Sequence, residues 1–354
     1  MLTTKTTPLV SLITVNYNGL KYLKNLYDSL HKLDYPNIEL IMVDNASDDG
    51  SVDFVKIHYP DVQLIQNSHN FMFARGNNEG IRVAHGEIIG LINNDVEVAA
   101  DFLNPILRAF QEMPALAACQ PKVRDLNQPN LFEYAGASGG FIDRYGYPFM
   151  RGRLFFTVEE DQGQYDNPME IFWSTGACFF IRQSVINEIG LLDEDFVMHM
   201  EEIDLCWRMH LRGYKIFCIP SSLVWHKGGG TLAPDNPRKT YWNFRNNIFL
   251  LVKNSGIANL IRFLFFRLFL DFTALVWEML RGKIKNSWSI LKAYLWLLLH
   301  LPMLIRKRQK NQKKRKVTDR EIFRLVYPGS IVWEYFIRGR KKFSELQKIN
   351  RWLN

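Results

Sequence analysis

Two hydrophobic periods alternate along the first hundred residues of this 354-residue chain, and that alternation restricts the fold more than any other feature. Short apolar runs, typical of buried strands, are separated by segments whose apolar residues recur at helical spacing. The predicted strands are 9–15, 38–43, 62–65 and 87–92, and the predicted helices are 20–30, 76–85 and 101–113. Strands that alternate with helices indicate an α/β fold whose central, mostly parallel sheet is covered on both faces.

Beyond residue 113 the pattern is less regular. Residues 115–175 are rich in Gly, Tyr and Phe, and they predict only a hairpin over 143–148. A strand over 172–182, a helix over 201–212 and a strand over 215–219 are predicted after it.

Polar side chains collect where the predicted strands end. They are Asn16 and Tyr17 after the first strand, Asp44 and Asn45 after the second, and Asn93, Asn94 and Asp95 after the fourth. In open parallel sheets, ligands bind outside the carboxyl ends of the strands. The turn after the first strand reads N-Y-N-G, and no G-x-x-x-x-G-K-[ST] occurs, so dinucleotide and P-loop sites lose their main support. A different ligand is predicted at this edge.

Asp95 and His226 are candidate metal ligands. A carboxylate at the end of a buried strand is costly unless it is paired or bound to a cation, and Mg²⁺ or Mn²⁺ on a phosphate would satisfy Asp95. The alternative is an aspartate that caps the next helix. His226 precedes three glycines and suits the same metal or a phosphate. Its alternative is an ordinary hydrogen-bonded histidine.

Two further groups are candidates for chemistry. Asp44 suits a nucleobase N–H or a ribose hydroxyl, and Tyr17 suits stacking on a base, but an Asx turn and packing on the sheet explain them equally well. Glu201, Glu202 and Asp204 begin a predicted helix, where the helix dipole favours acidic residues. A carboxylate among them that faces a cleft would serve as a general base.

Charge divides the chain at about residue 244. Residues 1–244 carry 20 Lys and Arg against 30 Asp and Glu, a net charge of −10, whereas residues 245–354 carry 24 against 6, a net charge of +18. This predicts two regions: a catalytic or binding body over 1–244 and a basic appendage over 245–354 that binds an anionic lipid surface or a nucleic acid.

The appendage contains two long apolar stretches. The first, 259–277, includes Arg262, Arg267 and Asp271, and each of these costs about 2.5–3.5 kcal/mol at the centre of a bilayer. The second, 289–305, is shorter than the roughly 20 residues that a span needs. Helices that lie on the membrane surface are therefore predicted, held by the basic run 306–316 at about 1 kcal/mol per basic residue.

The four cysteines and the N-terminus predict a cellular compartment. No C-x-x-C spacing occurs, so buried, reduced thiols are expected. The N-terminal apolar run ends in Asn and Tyr and is typical of a strand, not of a signal peptide. A cytoplasmic protein that is peripheral on the inner face of the cell membrane is therefore expected.

Eight motifs, in order over residues 9–230, together resemble one family. They are V-S-L-I-T-V-N-Y-N-G, V-D-N-A-S-D-D-G-S, N-x-x-F-A-R-G-N-N-E-G, L-I-N-N-D-V-E-V, S-T-G-A-C-F-F-I-R, G-L-L-D-E-D-F, E-E-I-D-L-C-W-R and H-x-G-G-G-T. This set is similar to the family 2 inverting glycosyltransferases of the GT-A fold, particularly the subgroup that includes bacterial rhamnosyltransferases.

The resemblance implies a role for each matching residue. Asn93, Asn94 and Asp95 occupy the place of the family's D-x-D motif, so Asp95 would hold a divalent metal, Mg²⁺ or Mn²⁺, on the donor diphosphate. His226 would be the second metal ligand. The implied nucleotide-binding residues are Asn16, Tyr17, Asp44, Asn45, Arg75, Asn94 and Asp95.

The implied general base lies in the family's E-D pair, which matches Glu201 and Glu202. Glu202 is the first choice, with Glu201 and Asp204 behind it. The chain departs from the family at two positions: the family usually has Asp where Glu202 stands, and Met72 replaces a Gly in N-x-G-F, which changes the donor pocket.

The resemblance implies transfer of a sugar, such as rhamnose or another hexose, from a nucleoside diphosphate to an acceptor hydroxyl with inversion. The expected acceptor is a glycan, in particular a lipid-linked glycan of surface polysaccharide synthesis, and no nucleic-acid partner is expected. One alternative is a catalytically inactive α/β binding protein with a nucleic-acid-binding basic tail. A nucleotidyltransferase is a further alternative.

Overall fold

The computed structural model describes residues 7–228, 236–346 and 352. The strands are β1 (Val10–Asn16), β2 (Ile38–Asp44), β3 (Gln63–Gln66), β4 (Ile88–Ile92), β5 (Val96–Val98), β6 (Leu116–Asp125), β7 (Gly140–Asp143), β8 (Pro148–Met150), β9 (Arg153–Leu154), β10 (Thr157–Val158), β11 (Met169–Glu170), β12 (Cys178–Arg182), β13 (Lys215–His226) and β14 (Val326–Tyr327). The helices are α1 (Leu20–Leu30), α2 (Ser51–His58), α3 (Met72–Val83), α4 (Leu103–Glu112), α5 (Gln183–Ile189), α6 (Glu201–His210), α7 (Pro237–Asn254), α8 (Ile257–Leu280), α9 (Ile284–Leu299), α10 (Leu301–Lys313) and α11 (Asp319–Phe323).

The central sheet has the order β11-β13-β6-β12-β4-β1-β2-β3, and β5 pairs with β13. The strands β4, β1, β2 and β3 are parallel to their neighbours, as predicted. In the other half, β12 is antiparallel to both β4 and β6, and β13 is parallel to β6 but antiparallel to β5 and β11. The sheet is therefore mixed, and the prediction of a mostly parallel sheet holds only for the N-terminal half.

Both faces of this sheet are covered, as the sequence predicts. Leu12 and Met42 belong to the hydrophobic cluster formed with α1 and α4, whereas Ile13 and Val43 belong to the cluster that includes α3. Successive residues of a strand point to opposite faces of the sheet. Because both faces are covered, consecutive residues of β1 and β2 are apolar. All four cysteines are buried and unpaired, as expected.

The N-terminal elements agree with the prediction except around α2 and α3. Helix α2 was not predicted, because its eight residues follow a turn-rich segment and are too few to show a helical period. α3 begins at Met72, before the predicted start at 76. Its Gly76 and Gly80 face the sheet, where an added Cβ would collide with the side chains of Val15 and Ile13.

β13 is longer than predicted, and this extension reaches the site. The predicted hairpin over 143–148 is confirmed by the antiparallel pair β7 and β8, and the predicted strand over 172–182 is shortened to β12. β13 continues beyond Ile219, and its pairing register with β6 shifts between Ile219 and Leu223. The strand then runs alongside β5 to His226.

The C-terminal helices pack on the body of the protein. The expected boundary at residue 244 falls inside α7, and the rings of Phe249 and Phe196 stack with their centroids 4.4 Å apart. β14 pairs with β7 and extends the small second sheet, which has the order β10-β9-β8-β7-β14. Residues on both sides of position 244 share one hydrophobic cluster.

Helix α8 turns its charged residues toward the protein. Arg267 and Asp271 are buried and lie 2.9 Å apart, Tyr294 donates to Asp271 at 2.6 Å, and the Arg267 guanidinium lies 4.0 Å from the centroid of the Tyr147 ring. Among the described residues, no single helix is long and apolar enough to cross a membrane. One pair, α9 with α10, meets the length and composition criteria only when joined across a 70° bend.

Candidate active site

The ends of β1, β2 and β4 meet at one edge of the sheet through a network of polar side chains. The Asn16 side-chain amide donates to the Asp44 carboxylate at 3.1 Å, and the Asn94 side-chain amide donates to Asn16 Oδ1 at 2.8 Å. The hydroxyl and backbone N–H of Ser47 donate to Asp44 at 2.6 and 2.8 Å. The structure thus brings together residues that the sequence singled out after three separate strands.

The other predicted nucleotide-binding residues surround this network. Tyr17 is 51% exposed, so its ring is available to a ligand. Asn45 is buried and donates to the Met72 carbonyl, which ties β2 to the start of α3. The Arg75 guanidinium lies 3.6 Å from the centroid of the Phe71 ring. Met72 has a φ of +64°, a left-handed conformation in which a glycine would be unstrained.

Asp95 and His226 are in contact. The turn after β4 and the end of β13 place His226 Nε2 2.9 Å from the Asp95 carboxylate, because β5 and β13 pair with His226 opposite Val96. The other ring nitrogen, Nδ1, lies 3.2 Å from the buried carboxylate of Glu133. Sequence reasoning missed Glu133, since it lies in the irregular 115–175 region and belongs to no motif.

These carboxylates set the charge of His226. Burial alone would lower the pKa of His226, but Asp95 and Glu133 outweigh it and raise that pKa to about 10. Burial would raise the pKa of Asp95, and the contact with His226 lowers it below its usual value. The two carboxylates therefore favour the protonated form of His226, and a cation that binds Nε2 would replace its proton.

The residues at this edge suit a metal that is bound jointly with a ligand. No group of three or more His, Cys, Asp or Glu side chains within the described ranges is arranged to hold a metal ion. Asp95 and His226 offer one carboxylate and one imidazole, and Mg²⁺ in proteins commonly takes one or two carboxylates together with substrate phosphates. In metal sites, a ligating histidine donates its other N–H to a carboxylate, which is the place of Glu133.

The segment 174–177 connects this edge to the acidic helix α6. The backbone N–H of Asn93 donates to the Ala177 carbonyl at 3.0 Å, and the N–H of Ser174 donates to Cys206 Sγ at 3.4 Å. Cys206 lies four residues after Glu202, so the two share one face of α6. Glu202 therefore faces the same segment that Asn93 contacts.

Among the described residues, Glu201 and Glu202 have no ion-pair partner, and only backbone N–H groups stabilise their charge. Burial raises the pKa of Glu202 to about 7. Burial, together with the charge of Glu202, raises the pKa of Glu201 well above its usual value. Oε2 of each side chain is buried without a hydrogen-bond partner. A carboxylate with a pKa near neutrality is suited to accept a proton.

Asp204 is placed differently from the two glutamates. It is fully buried, and its Oδ2 accepts from Arg208 and from Lys253 of α7, each at 2.8 Å, while its Oδ1 accepts from Asn254 at 2.8 Å. Its carboxylate therefore connects α6 to α7. The helix dipole and the i,i+4 contact with Arg208 account for this residue without a catalytic role.

The loop that leads into α6 is strained and is held by α7. Val197, His199 and Met200 have φ values of 67°, 69° and 71°, each of which costs about 1–3 kcal/mol in a residue other than glycine. The Asn246 amide donates to the carbonyls of Phe196, Met198 and His199 at 2.7–3.0 Å. The C-terminal region thus helps to position the start of the acidic helix.

The fold is similar to that of several solved structures. The structure is similar to Staphylococcus aureus TarS 1-349 in complex with UDP-GlcNAc, with a TM-score of 0.55, 15% identity, and coverage of 86% of this chain and 89% of that one. It is also similar to the mannosyltransferase PcManGT from Pyrobaculum calidifontis in complex with GDP-Man and Mn²⁺, with a TM-score of 0.51, 16% identity, and coverage of 84% and 76%. The chain has the α/β GT-A fold.

The family follows from the sequence. The model of Glycosyl transferase family 2 matches residues 11–190, and the chain belongs to this family. It is 23% identical to an N-acetylglucosaminyl-diphospho-decaprenol L-rhamnosyltransferase of Mycobacterium tuberculosis, over 71% of this chain and 86% of that protein. It is 24% identical to a low-salt glycan biosynthesis hexosyltransferase of Haloferax volcanii, over 70% and 76%. The predicted resemblance is confirmed, and the nucleic-acid-binding alternative is not favoured.

The two glycines at 229 and 230 and Thr231, which complete the H-x-G-G-G-T motif, lie outside the described residues.

Proposed function

We propose that this glycosyltransferase moves a hexose or deoxyhexose from a nucleoside diphosphate to a hydroxyl of a lipid-linked glycan, with inversion at the anomeric carbon. The observation that carries the proposal is the common position of two groups beside the segment 174–177: the Asp95 and His226 pair, and Glu202 with its raised pKa. Asp95 and His226 suit the departing diphosphate, and Glu202 suits the incoming hydroxyl.

In the proposed reaction, the acceptor oxygen attacks the anomeric carbon on the face opposite the diphosphate. The bond from that carbon to the phosphate oxygen breaks, and the nucleoside diphosphate leaves with the electron pair. Glu202 takes the proton of the acceptor hydroxyl, so proton and charge balance. Attack from the opposite face inverts the configuration, and no covalent sugar–enzyme bond is needed.

Asp95 and His226 would hold a divalent cation, Mg²⁺ or Mn²⁺, and that cation would neutralise charge on the leaving diphosphate. Both side chains are nearly buried and lie at the edge where the Asn16, Asp44 and Asn94 network ends. In this arrangement Asp44 binds the nucleoside, and Tyr17 stacks on its base. Two neighbours of the fold were solved with Mn²⁺ and a nucleotide or nucleotide sugar, which supports the same ligands here.

The acceptor class comes from the named relatives. The rhamnosyltransferase of Mycobacterium tuberculosis is named for an acceptor in which N-acetylglucosamine is joined to decaprenol through a diphosphate. We extend this class, a sugar linked through diphosphate to a long lipid, to the present protein. Such an acceptor is held in a membrane, so the enzyme would work as a peripheral protein at the inner, cytoplasmic face of the cell membrane.

The outer side of the C-terminal helices supports this location. α8 buries Arg267 and Asp271 but exposes Phe265, Phe269 and Leu280 by 71%, 69% and 76%. This reverses the usual pattern of a helix on a soluble protein. The exposed large apolar residues of α8, α9 and α10, which we call the apolar face, are Ile257, Ile261, Phe265, Leu268, Phe269, Phe272, Trp277, Met279, Leu280, Ile284, Trp288, Leu291, Leu295, Leu298, Leu299, Leu301 and Ile305.

Part of the basic run 306–316 is used within the fold. Lys307 pairs with Asp193 and Asp195, Arg315 with Asp319, and Lys316 with Glu188. The remaining exposed cations of this run follow the apolar residues of α10 in sequence, along the rest of that helix and just beyond it. They are Arg306, Lys310, Lys313 and Lys314. Apolar residues bordered by cations are typical of a segment that binds the interface of an anionic bilayer.

Charging the apolar face should release the protein from membranes. We expect wild type to cosediment with vesicles of phosphatidylcholine mixed with phosphatidylglycerol, and less with phosphatidylcholine alone. Phe269→Glu with Phe272→Glu should weaken vesicle binding by at least about a hundredfold, since each of the two aromatic side chains contributes about 1.5–3 kcal/mol when buried in the membrane. Ile57→Glu, a matched change at an exposed apolar residue of α2, should have no effect. Unchanged vesicle binding by the double variant would contradict the location.

A donor screen tests the proposed function itself. The wild-type protein with Mg²⁺ or Mn²⁺ should be stabilised by one nucleoside diphosphate sugar in preference to others. A ligand at 100 times its dissociation constant adds about 2.7 kcal/mol. The donor that stabilises the protein should then be tested in transfer, with an isoprenyl-diphosphate-linked sugar as the acceptor. The product should have the anomeric configuration opposite to that of the donor. Absence of stabilisation by every donor with either metal would refute the proposal.

A further inference from the structure

The candidate base follows a loop with a strained backbone. This segment, 195–200, leads into α6, and we call it the α6 loop. Val197, His199 and Met200 all have positive φ values, and Met200 is the N-cap residue of α6. Such conformations persist only where the surrounding structure fixes them, and they cluster at sites where a group is pre-organised. Glu202 lies two residues after Met200, so the path of the α6 loop determines where its carboxylate points.

One side chain of α7 holds most of this loop. Asn246 is fully buried. Its side-chain amide donates to three loop carbonyls, those of Phe196, Met198 and His199, at 3.0, 2.8 and 2.7 Å. An amide nitrogen carries two N–H groups, so the three carbonyls share them. Loss of this one amide would therefore remove a donor from three points of the α6 loop at once.

Arg245 orients that amide. Its Nε donates to Asn246 Oδ1 at 2.7 Å, so the amide oxygen faces Arg245 and the amide nitrogen faces the loop. The guanidinium also donates to the carbonyls of Asp195 and Phe196 at 2.8 and 2.7 Å. It lies 4.7 Å from the centroid of the Trp296 ring of α9. Arg245 and Asn246 thus form one unit that holds the α6 loop from α7.

A single peptide group connects Asn246 to Glu202. The carbonyl of His199 and the N–H of Met200 belong to the same planar peptide, so a hydrogen bond that fixes the carbonyl also fixes the direction of the N–H. The Met200 N–H is one of the backbone groups that stabilise the charged form of Glu202 and oppose the effect of burial on its pKa. The orientation of this peptide therefore affects both the position and the charge of the carboxylate.

We propose that Arg245 and Asn246 are positioning residues for Glu202, and that they act through the α6 loop without contacting the substrate. The inference rests on the proposed function, because it takes Glu202 as the group that accepts the proton of the acceptor hydroxyl. Both residues lie beyond the boundary predicted at residue 244. The region that was expected to serve only as an appendage therefore contributes to catalysis.

Asn246→Ala should lower kcat by roughly a hundredfold, because displacement of a reacting group by about 1 Å has an effect of that size. The KM for the donor should stay unchanged, since the proposed donor ligands Asp95 and His226 lie on other elements. The rise of kcat with pH should move to a midpoint above about 7, because the Met200 N–H is no longer held where it stabilises the carboxylate. The measurement is kcat and donor KM for sugar transfer from pH 5 to 9.

Asn247→Ala is the matched control. Asn247 is the next residue of α7 and is also buried, but its amide donates to the Gly146 carbonyl at 2.9 Å, between β7 and β8. Both alanine variants should melt at a lower temperature than wild type, because each loses a hydrogen-bond donor from the protein interior. Only Asn246→Ala should lower kcat. Equal losses of kcat in the two variants would make Asn246 a merely structural residue and would overturn the proposal.

A second variant keeps the proposal testable if Asn246→Ala does not fold. Arg245→Lys retains the positive charge but loses the planar fork that contacts both Asn246 and the loop carbonyls. It should also lower kcat at an unchanged donor KM. A wild-type kcat in Arg245→Lys, with an unchanged pH profile, would remove Arg245 from the proposed unit.

A double variant separates this proposal from the proposed function. If Asn246 acts only through Glu202, then Asn246→Ala should not lower kcat further in a protein that already carries Glu202→Gln. A full additional loss in the double variant would overturn the positioning role and leave Glu202 as the base. A wild-type kcat in Glu202→Gln alone would instead refute the proposed base, and the positioning role with it. Absence of transfer by the wild-type protein is failure of the proposed function and is observed before any variant is compared.

Discussion

Asp95→Asn should abolish metal-dependent sugar transfer while the protein remains folded. The substitution keeps the shape of the side chain but removes the charge that would hold a divalent cation against the donor diphosphate. Loss of such a cation costs several kcal/mol of transition-state stabilisation, so kcat/KM should fall by roughly a thousandfold. The measurement is transfer of labelled sugar at increasing Mn²⁺ concentrations, together with Mn²⁺ binding followed by electron paramagnetic resonance.

Asp101→Asn is the matched control for this variant. Asp101 is an exposed aspartate in the turn before α4 and should be replaceable without loss of activity. The paramagnetic signal gives a second readout, because weaker Mn²⁺ binding by Asp95→Asn should be visible without turnover. Wild-type activity with an unchanged Mn²⁺ dependence in Asp95→Asn would remove Asp95 from the metal site.

The N-terminal half of the fold was predictable because its contacts are local in sequence. β1, α1 and β2 follow one another along the chain, and their apolar periods differ clearly. The other half of the sheet depends on pairings that no local pattern records. β12 inserts between β4 and β6, and two-residue strands such as β9 and β11 are too short to show a period.

The residues of the candidate site also divide into those that the sequence predicts and those that only the fold brings together. Asn16 and Asp44 could be placed together, because the ends of neighbouring parallel strands meet at one edge. Glu133 could not be predicted as a site residue, because only the fold brings its carboxylate into contact with His226.

The acidic trio shows how helix geometry separates residues that look alike in sequence. Asp204 and Arg208 are four residues apart and meet Lys253 on the side of α6 that faces α7. Glu202 and Cys206 are also four residues apart but lie on a different side, toward the segment 174–177. The sequence predicts that all three acids begin a helix, but only the packing of α7 shows which one is neutralised.

Glu202→Gln should lower kcat by a factor of about 100 to 10,000, because positioned general bases contribute that much to proton transfer. The wild-type rate should rise as the pH passes about 7, since burial raises the pKa of Glu202 to about 7 and the base acts only when deprotonated. The variant should lose this rise. The measurement is kcat for sugar transfer from pH 5 to 9 with saturating donor and acceptor.

Stability distinguishes Glu202 from its neighbours. A carboxyl whose pKa is higher in the folded protein than in the unfolded chain destabilises the fold increasingly as pH rises from its usual pKa to the raised one. Glu202→Gln should therefore melt at the same or a higher temperature at pH 8. Asp204→Asn should melt lower, because Arg208 and Lys253 lose the charge that they contact. If Glu202→Gln keeps the wild-type rate and Glu201→Gln loses it, the base is Glu201, and the proton path must leave α6 on the other side of the helix.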